Sequence, residues 1–158
     1  SCPGASASGS AGAALMARGF AKPGVGPCPC GSGSKLSQCC GPMHSGERRA
    51  STAEQLMRSR YSAYALSELD YLIATNPDDT KPLSQRRRSV RDSCRQTHWH
   101  GLTVLGTEAG SRTDLEGTVC FEAIFSAGGE RHVLRENALF RRRDGTPDGE
   151  WLYIGPLD

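Results

Sequence analysis

At 158 residues and 37% hydrophobic content, with 19 glycines, the chain has room for one domain of ordinary size and a small accessory module. A formal charge of +2 gives the whole chain no character of a nucleic-acid or membrane-surface binder, and no run approaches the roughly 20 apolar residues that span a bilayer. Seven cysteines would mark a disulfide framework in a small secreted protein; here four crowd into thirteen residues while Cys2, Cys94 and Cys120 are scattered, which points to metal in a reducing cytoplasm.

Residues Ser1 to Gly26 are rich in Ser, Gly and Ala and read as a disordered tail. The patch Ala13-Ala14-Leu15-Met16 is too short and too late for a signal-peptide core and has no basic residue before it; Met16 offers an alternative start. Pro27 to Gly46 then forms a Cys/Gly/Pro-rich module whose apolar residues are Leu36 and Met43. Such a segment has no hydrophobic core to fold around, so a metal must supply the free energy, on the order of 10 to 16 kcal/mol for structural zinc. Without metal the module is expected to be unfolded.

The module holds Cys28 and Cys30 as C-x-C, eight intervening residues, and then Cys39-Cys40. Zinc suits four thiolates in a tetrahedron at about 2.3 Å, and four protein ligands leave no open position, so the site reads as structural. The Gly31-Ser32-Gly33 turn is expected to aim amide N–H groups at the sulfurs, and Lys35 to soften the formal charge of the cage. Three other readings stay open at this point: a redox dithiol, His44 in place of Cys40 as fourth ligand, and an iron–sulfur cluster.

From Ser51 the sequence turns globular. Thr52 followed by Gln55 is a capping-box pattern opening a helix to about Leu66, a second helix covers Leu69 to Ala74 before Asn76-Pro77, and a third runs from near Ser84 toward His98. Beyond Trp99 the period becomes that of strands: Leu102 to Thr107, Leu115 to Phe125, His132 to Arg142 and Trp151 to Ile154, separated by Gly110-Ser111, Gly128-Gly129 and Asp144-Gly145. Val119, Phe121, Ala123 and Phe125 alternate with Cys120, Glu122, Ile124 and Ser126, as a strand with one face on a core does. The fold class is therefore α+β, about three helices covering one face of a curved antiparallel sheet.

A helical wheel at about 100° per residue puts Arg60 on the face of Ala53, Leu56, Met57 and Tyr64. A charge there is costly unless paired, so Arg60 either anchors a carboxylate, Glu136 or Glu122, or lines a cavity with Tyr64 and Glu136. His98-Trp99-His100 is weighed as a catalytic or metal group against packing. Arg88, Arg91 and Arg95 share a flank of the third helix and, with Arg141-Arg142-Arg143, would make a basic stripe for phosphate or RNA; no aromatic stacking pattern accompanies them.

The run Cys28-Pro29-Cys30-Gly31-Ser32-Gly33-Ser34-Lys35-Leu36-Ser37-Gln38-Cys39-Cys40-Gly41 resembles the SEC-C motif, the small zinc-binding element at the C-terminal tail of the SecA preprotein translocase, where the last ligand is usually His rather than the Cys40 of this chain. With Gly41 to Gly46, Leu56 to Leu66 and Leu134-Arg135-Glu136-Asn137, the chain from Pro27 onward resembles the YchJ family (UPF0225). That resemblance implies residues 27–46 as a SEC-C element and residues 51–158 as a domain similar to nuclear transport factor two, a cone of helices on a curved sheet. Longer members carry a second SEC-C element at the C-terminus, which this chain, ending at Asp158, does not have. The partners implied are the export chaperone SecB or the ribosome. The chain is expected to be a cytoplasmic, zinc-binding interaction protein and not an enzyme, with ligand binding in the cone and RNA binding through the arginines as alternatives.

Overall fold

A computed structural model describes residues 26–157, so the expected tail lies outside the described residues except for Gly26. Helix α1 covers Gly41–Ser45, α2 Ala53–Leu66, α3 Leu69–Ala74 and α4 Leu83–Gln96; strands follow as β1 His98–Ala109, β2 Glu116–Ala127, β3 Glu130–Arg142 and β4 Trp151–Pro156. The four strands pair antiparallel in the order β1-β2-β3-β4, a meander whose β2–β3 connection is the tight Gly128-Gly129 turn. The chain is α+β, as its two hydrophobic periods require.

The ends of α2 have local causes, and the exit of α3 is set by a contact with β4. Thr52 accepts the Gln55 N–H at 3.1 Å while the Gln55 side chain takes the Ser51 N–H at 2.9 Å, so the capping box closes one residue early on its return arm. Ser67, in the left-handed region at φ 61°, ends α2. The Thr75 carbonyl accepts the Tyr153 N–H at 2.8 Å, and the Asn76 amide donates to the Tyr153 carbonyl at 2.9 Å, pinning the α3 exit onto β4.

Register shifts between Trp99 and Gly101, between Val104 and Gly106, and beside Leu139 and Phe140 curve the sheet around α2, which touches β1, β2 and β4. The main core joins Ala53, Leu56, Met57 and Tyr61 of α2 to Val119, Phe121, Ala123, Ala138, Phe140 and Trp151 of the sheet. A smaller cluster of Ala63, Leu72 and Cys94 ties α2, α3 and α4 together. Cys28, Cys30 and Cys40 belong to the main cluster, so the cysteine module is seated on the domain core and is not a separate bead. Its Met43 is buried as well.

One expectation changes in detail: β1 begins at His98 rather than at Leu102, with the His98-Trp99-His100 triplet at the start of the sheet, and the module contains a short helix, α1, in a segment to which the sequence assigns no element. On β2, Cys120 is buried although it lies on the face opposite Val119 and Phe121.

Candidate metal centre and domain cavity

The cage is built from two turns. A bridge between Pro27 and Lys35, with Cys28 N–H donating to the Ser34 carbonyl at 2.8 Å, closes a loop that presents Cys28 and Cys30. Gly31 sits at φ 81°, a conformation that side chains other than glycine's rarely adopt, and lets the chain reverse directly after Cys30. A 3₁₀ turn over Leu36–Gln38 leads into Cys39 and Cys40. Gly41 passes so close to it that a Cβ would lie 2.8 Å from the Leu36 carbonyl oxygen.

All four sulfurs lie within 4.8 Å of one another, with Cys30 and Cys39 at 3.6 Å and Cys39 and Cys40 at 3.9 Å. A tetrahedron with zinc–sulfur bonds of about 2.3 Å has edges of about 3.8 Å, so the donor set and its spacing fit that ion. Cys28, Cys30 and Cys40 are buried and Cys39 is half-buried. His44 points elsewhere: its Nε2 is 2.9 Å from the Ser59 carbonyl oxygen and its ring meets Tyr71 edge-on at 5.0 Å, which removes it as a substitute for Cys40.

The surroundings of the sulfurs differ from the expected ones. The hydroxyls of Ser62 and Ser32 meet the sulfurs, at 3.3 Å from Cys28 and 3.1 Å from Cys39, and the backbone that assists Cys28 is that of Cys30 and not of the Gly31-Ser32-Gly33 turn. Lys35 is exposed, and the cations near the cage are arginines that grip ligand backbones: Arg58 donates to the Cys30 carbonyl at 2.8 Å and Arg48 to that of Cys39 at 3.1 Å. Arg58 is itself steadied by Glu54 at 3.0 Å, one helical turn away. Hydrogen bonds from Cys30 and then Cys40, with Ser62 adding to them, hold the Cys28 thiol far below its ordinary range, while the bond to Cys28 pushes Cys40 far up.

The second feature is a cavity of about 240 Å³ between α2, α4 and the concave sheet. Arg60, Tyr64, Trp99, Glu136 and Tyr153 line it among apolar side chains. Arg60 is 8% exposed, yet it makes no direct ion pair with Glu136 or Glu122. One Nη donates to the Leu72 carbonyl at 2.9 Å and the Thr75 hydroxyl at 2.7 Å, and the guanidinium lies 4.8 Å from the Tyr153 ring centroid and 5.9 Å from that of Tyr64. Burial pulls its pKa below the ordinary arginine value. Glu136 accepts the Tyr153 hydroxyl at 2.5 Å, and Glu122 is occupied with Arg135 at 3.0 Å. Tyr153 and Thr75 escape a sequence reading because each contributes from a segment remote from α2.

The other candidates separate. His98 and His100 are exposed, His100 Nε2 lying 3.0 Å from Ser126 Oγ, and neither lines the cavity; Trp99 packs on Tyr61 and Phe125. Arg88, Arg91 and Arg95 are exposed along α4, with no ion-pair partner among the described residues. The run at the end of β3 is consumed structurally, which takes it out of the expected stripe: Arg141 pairs with Glu116, Arg143 with Glu150, and Arg142 stacks on Trp151 at 4.6 Å while donating to the Asp114 and Gly149 carbonyls. No helix among the described residues is long and apolar enough to cross a membrane.

Comparisons with known proteins agree with this architecture. A family model described as YchJ, middle NTF2-like domain, matches residues 52–156. A UPF0225 protein of Ralstonia nicotianae is 41% identical over 131 residues, covering 80% of this chain and 88% of its own, and one of Streptomyces coelicolor is 40% identical over 129 residues, covering 80% and 96%. Among solved structures, a SEC-C motif containing protein from Rhodopseudomonas palustris superimposes with a TM-score of 0.66 at 33% identity, covering 83% of this chain and 98% of that one. Another from Psychrobacter arcticus gives 0.65 at 26% identity, covering 82% and 81%. With a cysteine cage at one end and an NTF2-like domain matched over most of the remainder, the chain belongs to the YchJ family (UPF0225).

Proposed function

We propose that this protein is a zinc-holding interaction protein that docks a protein or ribosomal partner through its SEC-C element, residues 27–46. The observation that supports the reading is the cluster of four cysteine sulfurs within 4.8 Å of one another, which would fill every position of a zinc ion and leave it a structural role. Zinc held there by Cys28, Cys30, Cys39 and Cys40 fixes the two turns that carry exposed Ser32, Ser34, Lys35 and Gln38. By resemblance, the partner is a SecB-like chaperone or the ribosome in the cytoplasm.

The test is affinity capture from bacterial lysate with zinc-loaded protein and with Cys39→Ser, each with and without chelator. Partners that depend on zinc and on Cys39 are the expected result. The same partners on all arms would overturn the proposal.

A second reading rests on Arg88, Arg91 and Arg95, exposed on one helix without carboxylate partners among the described residues. It assigns them to the phosphates of RNA, and predicts binding that falls steeply with salt and is insensitive to zinc. Repeating the capture at two salt concentrations, with nuclease on one arm, distinguishes the two readings.

A further inference from the structure

The domain cavity contains a charge that the fold does not neutralise at contact distance. Arg60 is buried, and its two recorded bonds, to the Leu72 carbonyl and the Thr75 hydroxyl, both leave from one Nη. A guanidinium has five N–H donors in a planar fork, so the Nε edge and the second Nη keep donors without partners among the described residues. Both bonded partners are neutral. Removing a cation from water without a counter-ion is costly, and such a group is ordinarily met by a carboxylate.

The rest of the lining describes what would accompany that carboxylate. Tyr64 and Tyr153 flank the guanidinium, and Tyr61, Phe121 and Phe140 supply apolar and aromatic wall. Trp99 borders the same space and has an indole N–H with no acceptor among the described residues. The volume of about 240 Å³ equals the liquid share of about eight waters, which suits a single-ring ligand. Glu136 also faces the cavity, held by the Tyr153 hydroxyl through one oxygen, so the site contains a like charge that any anion must approach.

We propose that this cavity binds a small monocarboxylate with an apolar, single-ring body, the carboxylate pairing with the unused edge of Arg60 and the ring lying among Tyr64, Trp99 and Tyr153. Arg60 is the anchor because a planar fork matches a carboxylate in two parallel bonds. Glu136 weakens the binding through repulsion and orders Tyr153. The proposal is independent of the metal centre, because none of the four cysteines lines the cavity.

The experiment is calorimetric titration of the full-length, zinc-loaded protein with phenylacetate, phenylacetamide and phenethylamine. Phenylacetate is expected to bind at least about tenfold more tightly than the isosteric amide, with the amine weakest, since only the first offers charge-assisted bonds to Arg60. Arg60→Met should abolish phenylacetate binding. As that variant removes a buried bonded group and threatens folding, Glu136→Gln is the decisive one: it keeps an acceptor for Tyr153 and removes the like charge, so phenylacetate affinity should rise by about two- to fivefold. A structural role alone would not raise affinity. The proposal is overturned if phenylacetate shows no heat of binding at millimolar concentration, if the amide or amine binds as tightly, or if Glu136→Gln leaves phenylacetate affinity unchanged or lowers it.

Discussion

At the scale of single residues, Arg58 carries more of the metal centre than its place on the domain helix suggests. Its guanidinium holds the Cys30 carbonyl at 2.8 Å and is fixed by Glu54, so it both orients a ligand residue and places positive charge beside a cage of formal charge −2 when zinc-loaded. Groups in this position typically account for about 10- to 100-fold in metal affinity. Arg58→Met should therefore release zinc to a chromophoric chelator at least about tenfold more readily than the parent protein, with far-ultraviolet dichroism of α2 unchanged. Equal release from the two proteins would reduce Arg58 to a surface ion pair.

Tyr61, from the same helix, gives a pH signature. Burial, partly opposed by a bond at the Gly101 backbone, pushes its phenol from 10.0 up to about 12, because the phenolate is poorly accommodated in the core. The folded state therefore keeps its proton where the unfolded chain has lost it. Stability associated with Tyr61 is complete below pH 10, falls as pH rises from about 10 to about 12, and is absent above that, at a slope of up to about 1.4 kcal/mol per pH unit. Denaturant midpoints across that range should drop less steeply in Tyr61→Phe than in the parent, and parallel curves would contradict the assignment.

Among the elements, α2 organises the molecule. Arg58 and Ser62, spaced four apart, serve the cage, while Arg60 and Tyr64, also four apart, serve the cavity, so one helix divides its faces between two sites. Its start depends on Thr52, whose hydroxyl caps the Gln55 N–H. Thr52→Ala should cost about 1 kcal/mol in a denaturant titration, and Gln55→Ala less, since its return bond reaches Ser51 outside the helix. This cap was readable in sequence because it is local. The four strands and α3 were readable for the same reason, since period and turn residues lie within each segment. Helix α1 was not: five residues opening on Gly41-Pro42 are too short to show a helical period, and Met43 packing inward accompanies the turn there. The cage ligands could be picked out by spacing alone, but Ser62, Arg58 and Arg48, which surround them, carry no signal that links them to the motif. Arg60 was legible as a misplaced charge, whereas its bonds to a Leu72 carbonyl and to Thr75 depend on how α3 crosses α2.

Over the whole molecule, the sharing of one core by the cysteine module and the NTF2-like domain makes metal and domain stability a single quantity. Cys28, Cys30 and Cys40 pack in the same cluster as Leu56, Met57 and Tyr61, and Arg58 and Ser62 extend from the domain to the cage. A bead on a tether would lose its metal without consequence for its neighbour, but here protonated, released thiols vacate part of the wall that covers α2. Metal bound to the folded state alone stabilises it by mass action, so chelation should lower the thermal midpoint of the whole domain, and Cys28→Ser should do so even in excess zinc. Acidification acts in the same direction, because each thiolate must shed a proton to ligate and competition from protons grows as pH falls. Near-ultraviolet dichroism of Trp99 and Trp151, the two tryptophans of the chain and both in the domain, reads this out without contribution from the module. A chelator-induced fall in that signal's melting midpoint is the expected outcome, whereas identical melts with and without zinc would show that the module is thermodynamically separate from the domain it rests on.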